Sequence, residues 1–198
     1  MSVTSSQNLN KGELTQLLDI AREAIRGHFS DELSHPPQLD LYGKKLIRPG
    51  ACFVTLTVDG QLQGCLGSTT AHSPLVLDVH NKARASAYQD RRFMPLTEEQ
   101  LDHLMIEVSV LSEPETLEIR SEQDLLNYLE SNKVGVILSD NYSQALFLPQ
   151  VWEQLPKPKD FIRHLKIKAG WNAVYWSPSM EVQTFTVTSI NGKYFQSL

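Results

Sequence analysis

The chain has 198 residues, 41% of them hydrophobic and 21% charged, and a formal charge of −5. That length supports one substantial domain or two small lobes without covalent staples, and the composition excludes a fibrous repeat or extended disorder. The negative balance removes the global attraction on which non-specific nucleic-acid binding relies.

No basic leader precedes an apolar run, and no stretch of about 18 consecutive apolar residues occurs, so a cytoplasmic protein without a membrane segment is expected. Cys52 and Cys65 form no C-x-x-C pair and the 6 histidines show no zinc spacing. Both cysteines are therefore expected as free thiols, and neither a metal nor a cofactor is expected.

Met1 to Leu9 is polar and reads as a loose end. Asn10 with Glu13 has capping-box spacing, and Leu14, Leu17, Leu18, Ala21 and Ile25 recur at helical intervals, predicting a helix to about Phe29. An irregular connection, "SHPPQLDLYGKKLIRPGA", follows. "ACFVTLTVDG" alternates, is rich in β-branched residues and ends in Asp-Gly, so it reads as a strand entering a hairpin, with "QLQGCLG" as the return strand. Ser73 and Pro74 read as N-cap and first residue of a helix whose apolar face is Leu75, Val79, Ala83 and Ala87.

Thr97 with Gln100 opens a short helix before the strand "MIEVSVLS", which Pro114 closes. Ser121 caps the helix "EQDLLNYLE". "VGVILS" and "QALFLP", joined by "DNYS", make a second hairpin. "KPKDFIRHLKIKAG" is a helix with Gly170 at its left-handed stop, and "EVQTFTVTS", Glu181 to Ser189, alternates as a last strand. Hairpins and helices mixed without regular strand-helix-strand alternation point to an α+β fold with mainly antiparallel pairing.

Five blocks in order, "LQGCLG", "DRRFMPLT", "IEVSVLSEPE", "FLPQVWEQLP" and "KAG", resemble the AMMECR family. The resemblance implies an α+β fold of two related lobes, with residues 10–190 as one AMMECR-type domain sharing a core and 191–198 as a C-terminal end. It also implies company with radical SAM and Memo-like proteins. Two positions depart from the family pattern: Gln63 stands where Arg usually precedes the Gly-Cys pair, and Arg91 stands where Pro commonly follows the Asp.

If Leu62, Gly64 and Leu66 face the core, Gln63 and Cys65 face the other way with Thr55 and Thr57, and Glu107 and Ser109 share that polar face. Register decides the matter. A two-residue Asp59-Gly60 turn pairs Val54 with Cys65 and puts the thiol on the apolar side, whereas an odd-length loop or a bulge at Gly64 pairs Thr55 with it. On the second register Cys65 is a candidate nucleophile, with His72 or Glu107 as proton acceptor; on the first it packs.

The loop from Gly67 through Thr69 to Ser73 leads into a helix N-terminus able to hold an anion, so Gln63, Gly64, Gly67 and Thr69 are ligand candidates. Asp90 and Arg92 join them from a family block, Arg92 as a planar fork for a carboxylate or phosphate. Lys168 does so from "KAG". Lys157, Lys159, Arg163, Lys166 and Lys168 form a local basic strip, with Lys159, Arg163 and Lys166 on one helical face. It reads either as a solvated surface or as an RNA-binding patch. The expected function is a small-ligand site around Cys65, with a thiol-dependent step or a non-catalytic scaffold role beside it.

Overall fold

The computed structural model describes residues 9–29 and 35–195. The expected loose end, apart from Leu9, and the last three residues of the expected C-terminal end lie outside the described residues. Leu9 itself is buried in the core. The chain forms two compact units: one runs to Ser112 and resumes at Thr188, and the other is Glu113–Val187.

In the first unit α1, Lys11–Arg26, opens with the expected capping box. Asn10 Oδ1 accepts from the Glu13 amide at 2.9 Å and Glu13 Oε2 accepts from the Asn10 amide at 2.7 Å. The helix stops short of Phe29, at Gly27. The following connection contains a 3-10 turn, Leu39–Leu41, and a short helix α2, Lys44–Ile47.

Strand β1, Pro49–Val58, alternates buried Cys52, Val54 and Leu56 with half-buried Phe53, Thr55 and Thr57. Asp59 and Gly60 take φ of 49° and 78°, the pair of left-handed residues that a two-residue hairpin requires. The return strand β2 is Gln61–Gly67. Ser73 is not the N-cap and Pro74 is not the first helical residue: both form β3, paired with Gly50 and Pro49 of β1, and α3 spans Leu75–Tyr88 with Pro74 at its N-cap position and no side-chain cap. The local Ser-Pro signal is overridden because β1 begins early enough to pair with both residues.

β4, Leu104–Leu111, pairs antiparallel with β1, and the strand order is β2-β1-β4-β9, where β9 is Val187–Lys193. Val54, Leu56, Ile106 and Val108 meet Leu17, Ala21 and Ile25 of α1 and Val76, Val79 and Ala83 of α3 in one hydrophobic cluster. Each fully buried Leu, Ile or Val there contributes about 2 kcal/mol of transfer free energy. Arg22 anchors the end of β9, its Nε and Nη2 donating to the Lys193 carbonyl at 3.0 and 2.8 Å.

The second unit has its own antiparallel sheet, ordered β5-β8-β6-β7. Its strands are β5, Glu115–Thr116, β6, Gly135–Ser139, β7, Gln144–Phe147, and β8, Glu181–Phe185. The "DNYS" turn closes on Asp140, whose Oδ1 accepts from the Tyr142 and Ser143 amides at 2.8 Å. Helix α4, Glu122–Ser131, is capped by Ser121, and α5 is Pro158–Lys168. Gly170 at φ 84° completes a helix stop in which the Trp171 amide donates to the Lys166 carbonyl at 3.0 Å. Trp152 stacks on Phe161 at 3.8 Å within this unit's own hydrophobic cluster.

One expected strand, Glu181 to Ser189, is two: β8 and β9 lie in different sheets. Alternation cannot distinguish a single strand from two that change sheets within one residue. No helix among the described residues is long and apolar enough to cross a membrane.

Candidate functional site

The hairpin between β1 and β2 combines both expected registers. Val58 pairs with Gln61 and Thr57 with Leu62, as a two-residue turn demands; the register then shifts, and Leu56 pairs with Gly64 and Thr55 with Cys65. Gln63 is the extra residue of this bulge. The slip carries Cys65 off the apolar parity and onto the face of Thr55, whereas Leu62, on the turn side of the slip and paired with Thr57, lies outside the core and is 44% exposed. The expectation that Leu62 faces inward is thereby corrected.

Helix α3 shapes this segment. A side chain at Gly64 would overlap the backbone carbonyl of Ser86, so only glycine lets the helix lie this close. Ser86 then inserts between the strands: its hydroxyl accepts from the Leu66 amide at 2.9 Å and donates to the Val54 carbonyl at 2.8 Å. A side chain at Gly67 would run into the Phe53 ring. Packing thus accounts for the missing side chain at both glycines.

Thr55 and Cys65 are a cross-strand pair, and with Val54 and Leu66 bridged through Ser86 the Cys65 amide and carbonyl point away from β1, toward the open edge of the sheet. Asp90 and Arg92 meet them there. Asp90 Oδ2 accepts from the Cys65 amide at 3.0 Å and from Arg92 Nη2 at 2.7 Å, Oδ1 accepts from Arg92 Nε at 3.0 Å, and Arg92 Nη2 also donates to the Cys65 carbonyl at 2.9 Å. The Arg92 hydrogen bond, followed by the Cys65 amide, holds the Asp90 carboxyl well below the usual carboxylate range, against the opposing effect of burial. Asp90 is buried, whereas the Arg92 side chain is 58% exposed. Asp90 and Arg92, separated from Cys65 by 25 and 27 residues, therefore clamp its peptide group while the guanidinium faces solvent.

On the side-chain face, Cys65 Sγ lies 3.3 Å from Thr55 Oγ1. Thr55 pairs in turn with Glu107 of β4, whose Oε1 accepts from Ser109 Oγ at 3.0 Å, and Ser109 Oγ is 2.9 Å from Ser189 Oγ. A polar row thus crosses the sheet. Glu107 lies two strands from Cys65, about 10 Å at the normal inter-strand spacing, so Thr55 and not Glu107 is the thiol's neighbour.

The remaining candidates are placed elsewhere. Thr69 and His72 are exposed, and no hydrogen bond among the described residues joins His72 to Cys65. Gln63 reaches the Met94 carbonyl through Nε2 at 2.8 Å. Lys168 belongs to the second unit, where its Nζ donates to the Leu146 carbonyl at 2.9 Å and sits 5.1 Å from the Phe147 ring. Lys166 does not share an exposed basic face with Lys159 and Arg163: it is fully buried, with Nζ 2.7 Å from Glu122. Its position on α5 turns it toward α4.

Cys52 has the opposite environment. It is fully buried, and its Sγ and amide donate to Asp78 Oδ2 at 3.2 and 3.1 Å, with Ser68 Oγ on the same oxygen. Burial, followed by the Asp78 charge, pushes this thiol well above the ordinary range. Sequence reasoning passed over Ser86 and Asp78. Their signal was a polar residue on the apolar face of a predicted helix. Among the described residues no group of three His, Cys, Asp or Glu side chains is placed to hold a metal ion.

A model of the AMMECR1 family matches residues 18–190. A protein of Methanosarcina barkeri is 33% identical over 173 residues, covering 84% of this chain and 83% of the relative. One from Methanothermobacter thermautotrophicus is 32% identical over 186 residues, with 89% and 93% covered. A crystal structure of an uncharacterized protein from Pyrococcus horikoshii superposes with a TM-score of 0.74 at 29% identity, covering 90% of this chain and 91% of that one.

Proposed function

The chain belongs to the AMMECR1 family, and from that premise we propose that it binds a small anionic ligand against the Cys65 segment of β2. The thiol lies at one end of a polar sheet face, and Arg92 supplies the positive charge at the strand edge. The observation that carries this reading is the clamp. Asp90 and Arg92 fix both backbone polar groups of Cys65, Arg92 using Nε and Nη2 to do so, and the guanidinium stays half in solvent, where its remaining Nη1 donors can meet a carboxylate or phosphate.

Binding is favoured over base-assisted catalysis because the thiol has a cation beside its peptide and a threonine at its sulfur, but neither His72 nor Glu107 within hydrogen-bond reach. A thiol-dependent step is the finer form of this reading, and in it Cys65 would react as the thiolate with Arg92 as the neighbouring charge. A scaffold role toward radical SAM or Memo-like partners is compatible with the same surface and is carried by the family resemblance.

Competitive alkylation tests the reading. Iodoacetate and iodoacetamide differ in charge, so the ratio of their rates at Cys65 reports the local field. In the folded protein Cys65 is expected to label while Cys52 stays protected. Replacing Arg92 by Gln is expected to lower the iodoacetate-to-iodoacetamide ratio at least about threefold. A Cys65 that is as inert as Cys52, or a ratio that Arg92→Gln leaves unchanged, removes the proposal.

A further inference from the structure

The second unit carries a groove of about 360 Å³ whose lining does not involve Cys65. One wall is the first turn and a half of α4, with Glu122, Gln123 and Leu126, and the other is the turn holding Ala173 and Val174. Lys159 and Arg163, one helical turn apart on α5, complete the lining. We propose that this groove binds a small organic acid, a carboxylate joined to an apolar body.

The charge arrangement selects the carboxylate. Lys159 has no ion-pair partner among the described residues, and Arg163 has only a 3.8 Å contact with Asp160 while 52% exposed. Both therefore keep donors for a ligand. Glu122 lines the same groove, but the fully buried Lys166 ammonium lies 2.7 Å from its carboxylate and neutralises it from behind. The lining presents net positive charge to whatever enters.

Leu126, Ala173 and Val174 select the apolar body. Val174 is 83% exposed, a large apolar side chain with no core to join. An apolar ligand would cover it, and each methylene removed from water there contributes favourably. The cavity volume falls within the range of about 300 to 1,000 Å³ typical of small-molecule sites. A polyanion is disfavoured, because Asp160, 3.8 Å from Arg163, offsets one of the two cations.

The width of the groove is preset. Lys166 Nζ contacts Glu122 on one wall and donates to the Ala173 carbonyl on the other at 3.4 Å. The opposite wall is further held by the Val174 amide on Asn172 Oδ1 at 3.1 Å and the Tyr175 amide on the Asn172 carbonyl at 2.9 Å. One buried ammonium thus ties together the two sides between which a ligand would lie, so little ordering is left for binding to drive.

Titration of the full chain with 4-phenylbutyrate, followed by amide chemical shifts, tests this, with 4-phenylbutylamine as the charge-reversed probe. The acid is expected to give saturable shifts at Gln123, Ala173 and Val174, and the amine none. The double variant Lys159→Gln, Arg163→Gln is expected to bind at least about tenfold more weakly. Val174→Asp, an exposed position that leaves the fold intact, should weaken the acid as well. Cys65→Ser should leave its affinity unchanged, which separates this groove from the Cys65 reading. Equal responses to acid and amine, shifts outside the second unit, unaltered affinity in the double variant, or no saturation at millimolar concentration would each overturn the proposal.

Discussion

Two ion pairs, one in each unit, hold backbone in place with opposite polarity. At the edge of β2 the carboxylate is buried and the cation exposed: the Asp90 side chain is 4% accessible and Arg92 58%. Between α4 and α5 the cation is buried and the carboxylate partly exposed: Lys166 is 0% accessible and Glu122 33%. Each pair also grips a peptide carbonyl, that of Cys65 in the first case and Ala173 in the second. The difference decides what is left for a ligand. The first clamp offers its own guanidinium to solvent, whereas the second spends its charge internally and leaves ligand contact to Lys159 and Arg163.

The sharpest way to break this comparison is to remove the exposed partner of the buried cation. Glu122→Ala strands a fully buried ammonium and is expected to cost about 3 to 5 kcal/mol in urea unfolding, while adding Lys166→Met should restore most of it, because a well-packed apolar pair replaces a buried ion pair at little net cost. A double variant as unstable as the single one would show that the pair, and not the stranded charge, carries the energy.

Gly64→Ala comes next. Its methyl group would collide with a backbone carbonyl that cannot rotate away, so about 3 kcal/mol of stability should be lost and α3 should shift off β2. Amide exchange at Leu66, held by Ser86, should accelerate with it. An unperturbed Leu66 amide would mean that the bulge does not depend on the helix.

The smallest of the three effects is expected at the first clamp. Asp90→Asn removes the charge from four accepted hydrogen bonds and is expected to cost about 2 kcal/mol at neutral pH. The Asp90 carboxyl is depressed in the folded state and titrates near about 3.9 when unfolded. Its contribution is therefore fully present above that value and declines as pH falls below it. The Asn variant should lack this part of the acid decline, so the two stability curves should converge toward low pH. Parallel curves would place the dominant acid titration elsewhere.

The chain's own order of residues determined what depends on near neighbours. Asn10 with Glu13, Ser121 and Gly170 marked helix ends because caps are satisfied within four residues, and Asp59-Gly60 marked a hairpin because only that backbone conformation reverses a twisted strand in two residues. The α+β class and the polar parity of Thr55 and Glu107 followed from the same short periods.

Tertiary structure alone decided the rest. The bulge at Gln63 that turns Cys65 outward, the pairing that makes Ser73 and Pro74 a strand, the change of sheet between β8 and β9, and the burial of Lys166 each depend on an element packed from elsewhere in the chain. The Asp90–Arg92 grip on Cys65 joins residues 25 and 27 positions apart. No periodicity records such a contact, because its energy comes from edge groups that must find partners once the sheet has formed.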